Sequence, residues 1–167
     1  MITAAALWTN RGAARQYATV LAYRADVEAV SIGQRGGSLA DERARSSVRV
    51  LVVDDAPSFR RVICELLGRR GYQVVGQAGS VAEAIALAER LEPDAVLLDV
   101  HLPDGNGFDA ASRLTRAHPS LAVLLTSLDF ESNFYALADV SGARGFVPKA
   151  DLAGVEFTMF WPPSRRA

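Results

Sequence analysis

The run Ala95-Val96-Leu97-Leu98-Asp99 constrains this chain most, because the loop Val100-His101-Leu102-Pro103-Asp104-Gly105-Asn106-Gly107 follows it at once. Four apolar residues bounded by Pro93 upstream and by Pro and Gly downstream are too few for a helix. Such a run reads as a strand buried on both faces, in the middle of a parallel sheet. Asp99 then stands at the strand's carboxyl tip, the edge of an open α/β sheet where ligands and chemistry sit.

The remainder of the chain gives Asp99 its neighbours. From Val48 onward, strands and helices alternate. Val48 to Val53 is a first strand ending in Asp54-Asp55, and Pro57 sits in the first turn of the helix that follows, where its missing N–H costs little. Phe59, Val62, Ile63, Leu66 and Leu67 form an apolar stripe at helical spacing. Gly71 ends this helix, and Tyr72 to Ala78 is a second strand. Ser80-Val81-Ala82-Glu83 has capping-box spacing for a helix to about Leu91. After the Asp99 strand, a helix spans about Phe108 to Ala117 and stops at His118-Pro119. Leu121 to Leu125 is a fourth strand that delivers Thr126 and Ser127. A helix from Ser132 to Val140, a short fifth strand from Arg144 to Val147 and a last helix from Asp151 to Phe157 complete the pattern.

Five strands alternating with five helices predict a doubly wound parallel sheet with helices on both faces, because crossovers between parallel strands are right-handed. The tips of strands one, three, four and five carry Asp54 and Asp55, Asp99, Thr126, and Lys149. These residues are expected to converge.

Composition narrows the function classes. The chain has 167 residues and a formal net charge of -1, which argues against direct nucleic-acid binding and against a membrane-surface role. No apolar run approaches the roughly 20 residues that span a bilayer. Cys64 is the single cysteine, so no internal disulfide or cysteine metal cage forms, in keeping with a reducing cytoplasm. Lys149 is the only lysine, which gives its position weight.

Residues 1 to 47 differ in texture, rich in Ala, Arg, Gly and Ser, with Ser31 to Ser38 reading as linker. A helix is drawn over Ala13 to Val30. Ile2 to Trp8 is too short and too poorly flanked for a secretory signal core. The segment is expected to be a disordered or partly helical extension.

Three carboxylates within a few ångströms repel one another and need a cation to stay ionised. A hard divalent ion suits them, and a few carboxylate or carbonyl oxygens plus water is the set that Mg2+ prefers. Asp99 could then act as a nucleophile toward phosphorus. Phosphoryl transfer asks chiefly for positioning and for positive charge around the equatorial oxygens, which Lys149 and the metal supply while Thr126 offers a hydrogen bond.

These residues carry a resemblance. Val-Val-Asp54-Asp55, Leu-Leu-Asp99-Val-His-Leu-Pro-Asp-Gly-Asn-Gly-Phe, Leu-Leu-Thr126-Ser127 and Gly-Ala-Arg-Gly-Phe146-Val-Pro-Lys149 resemble the receiver domain of bacterial two-component response regulators, over about residues 48 to 157. The resemblance implies a flavodoxin-like fold of receiver type. It implies phosphorylation of Asp99 by a histidine kinase or phosphotransfer protein, and a signalling phosphoacceptor rather than an enzyme acting on other substrates. It also implies Mg2+ held by Asp54, Asp55, Asp99 and the backbone carbonyl of His101. Thr126 and Lys149 contact the phosphoryl group in this reading, small Ser127 gives access, and Phe146 is the switch aromatic. Phe146 taken by itself is equally a core residue. The downstream protein partner is unknown, and a homodimer through helix four, strand five and helix five is one further implication. The resemblance implies a cytoplasmic protein.

The sequence departs from the family pattern in placing Pro148 before Lys149 rather than after it. His101 and Leu128 occupy positions that, in the family it resembles, tune the lifetime of the acyl phosphate. Residues 158 to 167 are expected to form a tail with no output domain. Two alternatives stay open at this stage. One is a degenerate receiver that acts as a phosphorylation-independent binding scaffold. The other is a Mg2+-dependent phosphohydrolase of the haloacid dehalogenase type, whose Asp-x-Asp pattern on the first strand Val53-Asp54-Asp55-Ala56-Pro57 does not match.

Overall fold

A computed structural model describes residues 47–129 and 131–161. The helix drawn over Ala13 to Val30, the extension around it and the last residues of the tail lie outside the described residues.

The elements run β1 (Arg49–Val53), α1 (Pro57–Arg69), β2 (Gln73–Ala78), α2 (Val81–Leu91) and β3 (Ala95–Asp99), then a small hairpin of β4 (His101–Leu102) and β5 (Gly105–Asn106). α3 (Gly107–Ala117), β6 (Ala122–Ser127), α4 (Phe134–Val140) and β7 (Gly145–Pro148) follow. The five-stranded sheet has the order β2-β1-β3-β6-β7. Every neighbouring pair in it is parallel. This is a doubly wound sheet whose strand order reverses between β1 and β3, and a crevice opens at such a reversal beyond the strand tips.

The alternation along each strand divides the core in two. Leu51, Val53, Val96, Leu98, Val123, Leu125 and Phe146 face α2, α3 and α4, joined by Ala84, Ala88, Phe108, Leu114 and Phe134. Val50, Val52, Ala95, Leu97, Ala122, Leu124 and Val147 face the other way, against Ile63 and Leu67 of α1. By the same period of two, Asp54, Asp99 and Thr126 continue the α1 side of the sheet.

Local chemistry explains the boundaries. Pro57 opens α1, and Gly71, with φ of 84°, makes the left-handed turn that leads out of it. Ser80 Oγ accepts the Glu83 N–H at 3.2 Å, and Glu83 reaches back to the Gly79 N–H at 2.7 Å, so the capping box forms with Gly79 as the reciprocal donor. Asn106 caps α3 by accepting the Phe108 N–H at 2.8 Å.

The last helix is a correction. Instead of an α-helix from Asp151 to Phe157, the chain forms 3-10 turns at Lys149–Gly154 and Phe157–Met159, with Val155 extended between them at φ -77° and ψ 137°. Tertiary contacts decide this. Arg70 donates from both terminal nitrogens to the carbonyls of Ala153 and Val155, which a continuing helix would need for itself. Phe157 and Trp161 turn inward, stacked with ring centroids 4.7 Å apart, and Tyr72 meets both edge-on. Both rings are buried in the core, so the fold runs on to Trp161. Phe160 lies against Gly145, where an added Cβ would come within 2.7 Å of its ring. A homodimer face built on helix five therefore lacks its α-helix.

Candidate functional site

Strand register brings the predicted residues together. Asp99, the last residue of β3, pairs with Thr126 of β6. Thr126 pairs with Val147 of β7, two residues before Lys149. Asp54 and Asp55 follow β1 directly. Carboxylate oxygens of Asp54, Asp55 and Asp99 all lie within 4.8 Å of one another. Asp54 and Asp99 are buried at 1% and 3% exposure while Asp55 faces solvent, so the cluster has a dry floor and an open mouth.

Lys149 closes the site from the far edge. Its ammonium sits 2.5 Å from Asp54 Oδ2 and 2.7 Å from Asp99 Oδ2, on a side chain only 6% exposed. Burial pushes the Asp99 carboxyl above its ordinary value; the Lys149 hydrogen bond and charge pull it down, and the Asp54 charge adds to the rise. Burial works against the Lys149 ammonium, but the two carboxylates outweigh it and the lysine is held above its ordinary value. One ammonium among three carboxylates leaves an excess of negative charge. A divalent cation satisfies such a cluster, and solvent-facing Asp55 leaves room for the waters that Mg2+ retains.

The second half of the site is built from the loops. The His101 N–H donates to Asp99 Oδ1 at 3.3 Å. The His101 ring itself is exposed, with Nε2 3.9 Å from Asp129 Oδ2, so it points away from the carboxylate cluster. Ser127 is buried, and its Oγ accepts the Asp129 N–H at 3.2 Å. The Thr126 hydroxyl is buried without a hydrogen-bond partner. A buried hydroxyl left unpaired costs stability, and this one, beside Asp99, has its donor free for a group placed there. Phe146 is buried on the opposite side of the sheet, 5.2 Å from the Phe134 ring and 5.7 Å from that of Tyr135, centroid to centroid.

Two supporting residues were not read from the sequence. Asp104, in the β4–β5 turn, accepts the N–H groups of Val81 at 2.7 Å and Ala82 at 2.9 Å, fastening the loop after Asp99 to the start of α2. Arg60 donates to the Asp54 backbone carbonyl, bracing the main chain beneath the acids. Asp104 lies in the quoted motif, but its partners are more than twenty residues away and no periodicity points to them.

A family model for the response regulator receiver domain matches residues 50–153. The chain belongs to that family. Over 110 residues the receiver is 41% identical to the DNA-binding transcriptional activator DevR/DosR of Mycobacterium tuberculosis, covering 65% of this chain and 50% of that protein. It is 32% identical over 101 residues to the chemotaxis protein CheY of Thermotoga maritima, covering 60% of this chain and 84% of that one. A solved two-component response regulator of the LuxR family from Aurantimonas sp. SI85-9A1 superposes with a TM-score of 0.61 at 32% identity, covering 65% of this chain and 81% of that one. The receiver thus spans about half the length of DevR/DosR and most of CheY. Among the described residues, no helix is long and apolar enough to cross a membrane.

Proposed function

We propose that this receiver is a phosphorylation switch in which Asp99 accepts a phosphoryl group from the phosphohistidine of a histidine kinase or phosphotransfer protein. An Asp99 carboxylate oxygen attacks phosphorus, the phosphorus–nitrogen bond breaks, and the donor imidazole leaves with the bond's electron pair and takes up a proton. The product is an aspartyl phosphate, and the receiver catalyses only its own phosphorylation and dephosphorylation.

Asp54, Asp55 and Asp99, with the His101 backbone carbonyl, are the groups that would hold Mg2+. The ion's charge would let the carboxylates remain ionised together and would offset the phosphoryl oxygens. The chain's own groups do the rest. Lys149 moves its ammonium from Asp99 Oδ2 to the arriving phosphoryl oxygens without leaving its buried position, and the Thr126 hydroxyl donates to them. Ser127 keeps the approach narrow but open. Phe146, packed on Phe134 of α4, is the aromatic through which a shift of Thr126 reaches the α4–β7 face. Docking of a protein partner on that face is the output we assign, in the cytoplasm where kinase and receiver meet.

The Thr126 hydroxyl is the observation that carries this reading: it is buried, unpaired and in register with Asp99. The test is exposure of the folded protein to acetyl phosphate or beryllofluoride with and without Mg2+, followed by intact mass. A Mg2+-dependent adduct that is absent in Asp99→Asn supports the switch. No adduct on a folded wild-type protein leaves a binding scaffold as the better account.

A further inference from the structure

The reaction assigned above needs Lys149 to hold its charge in a dry place while its partners change, and the carboxylates alone do not explain how it does so. The ammonium has three N–H donors. Asp99 accepts one at 2.7 Å, Asp54 Oδ2 lies 2.5 Å away as an ion-pair partner, and the side chain is too buried for water to serve the remaining donors freely. The remaining neighbour is an aromatic ring. Lys149 Nζ lies 4.5 Å from the centroid of the Phe59 ring, within the range where the negative face of an aromatic attracts a cation.

Phe59 stands in the first turns of α1, two residues after Pro57, and is half-buried at the upper end of the stripe that packs Ile63 and Leu67 under the sheet. By periodicity it is one more core contact. Its place beside the acids makes it something further.

We infer that Phe59 is a positioning residue for phosphoryl transfer: its ring face is the fixed partner of the Lys149 ammonium. The inference rests on Asp99 being the phosphoacceptor. When Asp99 becomes an acyl phosphate, it gives up its carboxylate charge, and the ammonium must find phosphoryl oxygens a short distance away. A carboxylate grips an ammonium along particular directions, whereas a ring face attracts it over a broad area. Phe59 therefore lets Lys149 travel between two sets of acceptors without meeting water. An aliphatic side chain of similar bulk would fill the same space and leave the ammonium with carboxylates alone, pinned toward Asp54 and Asp99.

The test replaces Phe59 with mono-, di- and trifluorinated phenylalanine, which keep the ring's shape and drain charge from its face, and with Leu and Tyr. Each variant is phosphorylated with acetyl phosphate and Mg2+, and its Lys149 side-chain proton shifts are recorded by NMR. The expected result is a stepwise fall in rate across the fluorinated series, a roughly fivefold to thirtyfold loss in Phe59→Leu, and a rate near wild type in Phe59→Tyr. The upfield ring-current shift of the Lys149 methylenes is expected to persist in the fluorinated proteins and vanish in Phe59→Leu. Because the fluorinated rings pack like the native one, a purely structural role leaves the rate flat across them. A wild-type adduct that forms at one rate in all the fluorinated proteins and in Phe59→Leu overturns the role of Phe59 alone. Absence of any adduct in folded wild type overturns the phosphoacceptor reading, and this inference with it.

Discussion

Lys149 and Asp99 are 50 residues apart in the chain and joined by a 2.7 Å hydrogen bond in the fold. The same ammonium holds Asp54, so the only lysine of the chain links the tips of β1 and β3 from the far edge of the sheet. Before any phosphoryl group arrives, the site is a lysine clamped between two buried acids. That arrangement suits the phosphoryl group we propose it receives.

That clamp has a pH signature. The folded state holds the Asp99 proton more tightly than the unfolded chain does, because burial disfavours the carboxylate. Stability linked to Asp99 is therefore full below its ordinary value of 3.8 and is lost as pH rises through the higher folded value. Lys149 is shifted upward from 10.5, so its contribution is constant through the acidic and neutral range. Asp99→Asn, measured by thermal unfolding in EDTA, should gain stability over wild type progressively as pH rises above the ordinary carboxyl value of 3.8. An advantage that shrinks over that range contradicts the burial argument.

Gly107 fixes where Asp99 stands. An added Cβ there would lie 2.3 Å from the Asp99 carbonyl oxygen and 2.7 Å from Val100 Cα, both backbone atoms that cannot swing aside. Gly107→Ala is expected to cost about 3 kcal/mol in urea unfolding, at the high end for overpacking, and to slow phosphorylation by displacing the acceptor. Gly68→Ala on α1, where a Cβ meets nothing within 4 Å, is the matched control. It should stabilise by roughly 0.5–1 kcal/mol.

Asp104 offers a second pH-dependent test with the opposite sign. The backbone N–H groups of Ala82 and Val81 hold its carboxyl below the ordinary value of 3.8. Its contribution is present above that value and disappears as pH falls through the lower folded one. Asp104→Ala should therefore melt below wild type at neutral pH, with the two curves converging in acid. Parallel curves down to pH 2 would show that the clasp on α2 does not stabilise the fold.

Trp161 tests the ending of the domain. It is 1% exposed and stacked on Phe157 at 4.7 Å, in a stretch the sequence reading assigns to the tail. Trp161→Ala should cost about 3–5 kcal/mol in chemical denaturation, as for any large aromatic removed from a core. A loss under about 1 kcal/mol would assign the ring to the surface instead.

The order of strands and helices was legible because each buried strand is a short apolar run, and because Pro57, Ser80 with Glu83, and Gly71 mark their boundaries by local chemistry. The strand-end acids were legible for the same reason, since a carboxylate following such a run can only stand at the sheet's edge. The last helix was not. Asp151 to Phe157 has an acceptable local pattern, and what replaces it is set by Arg70, Tyr72 and Trp161, distant or later residues whose partners no window reveals. Phe59 was read correctly as apolar and incompletely as core, because its contact with Lys149 crosses ninety residues of sequence. Asp104 was hidden likewise: a carboxylate in a turn looks solvated until the helix it caps is placed beside it.

We propose that Asp99, and no other acid of the cluster, becomes covalently phosphorylated. The most direct measurement is to phosphorylate the protein with acetyl phosphate and Mg2+, reduce the acyl phosphate with borohydride, and locate the modified residue by peptide mass mapping. The expected result is reduction of Asp99 to homoserine, dependent on Mg2+, with Asp54 and Asp55 unmodified. Modification at Asp54 or Asp55, or none at any aspartate in a folded protein, contradicts it.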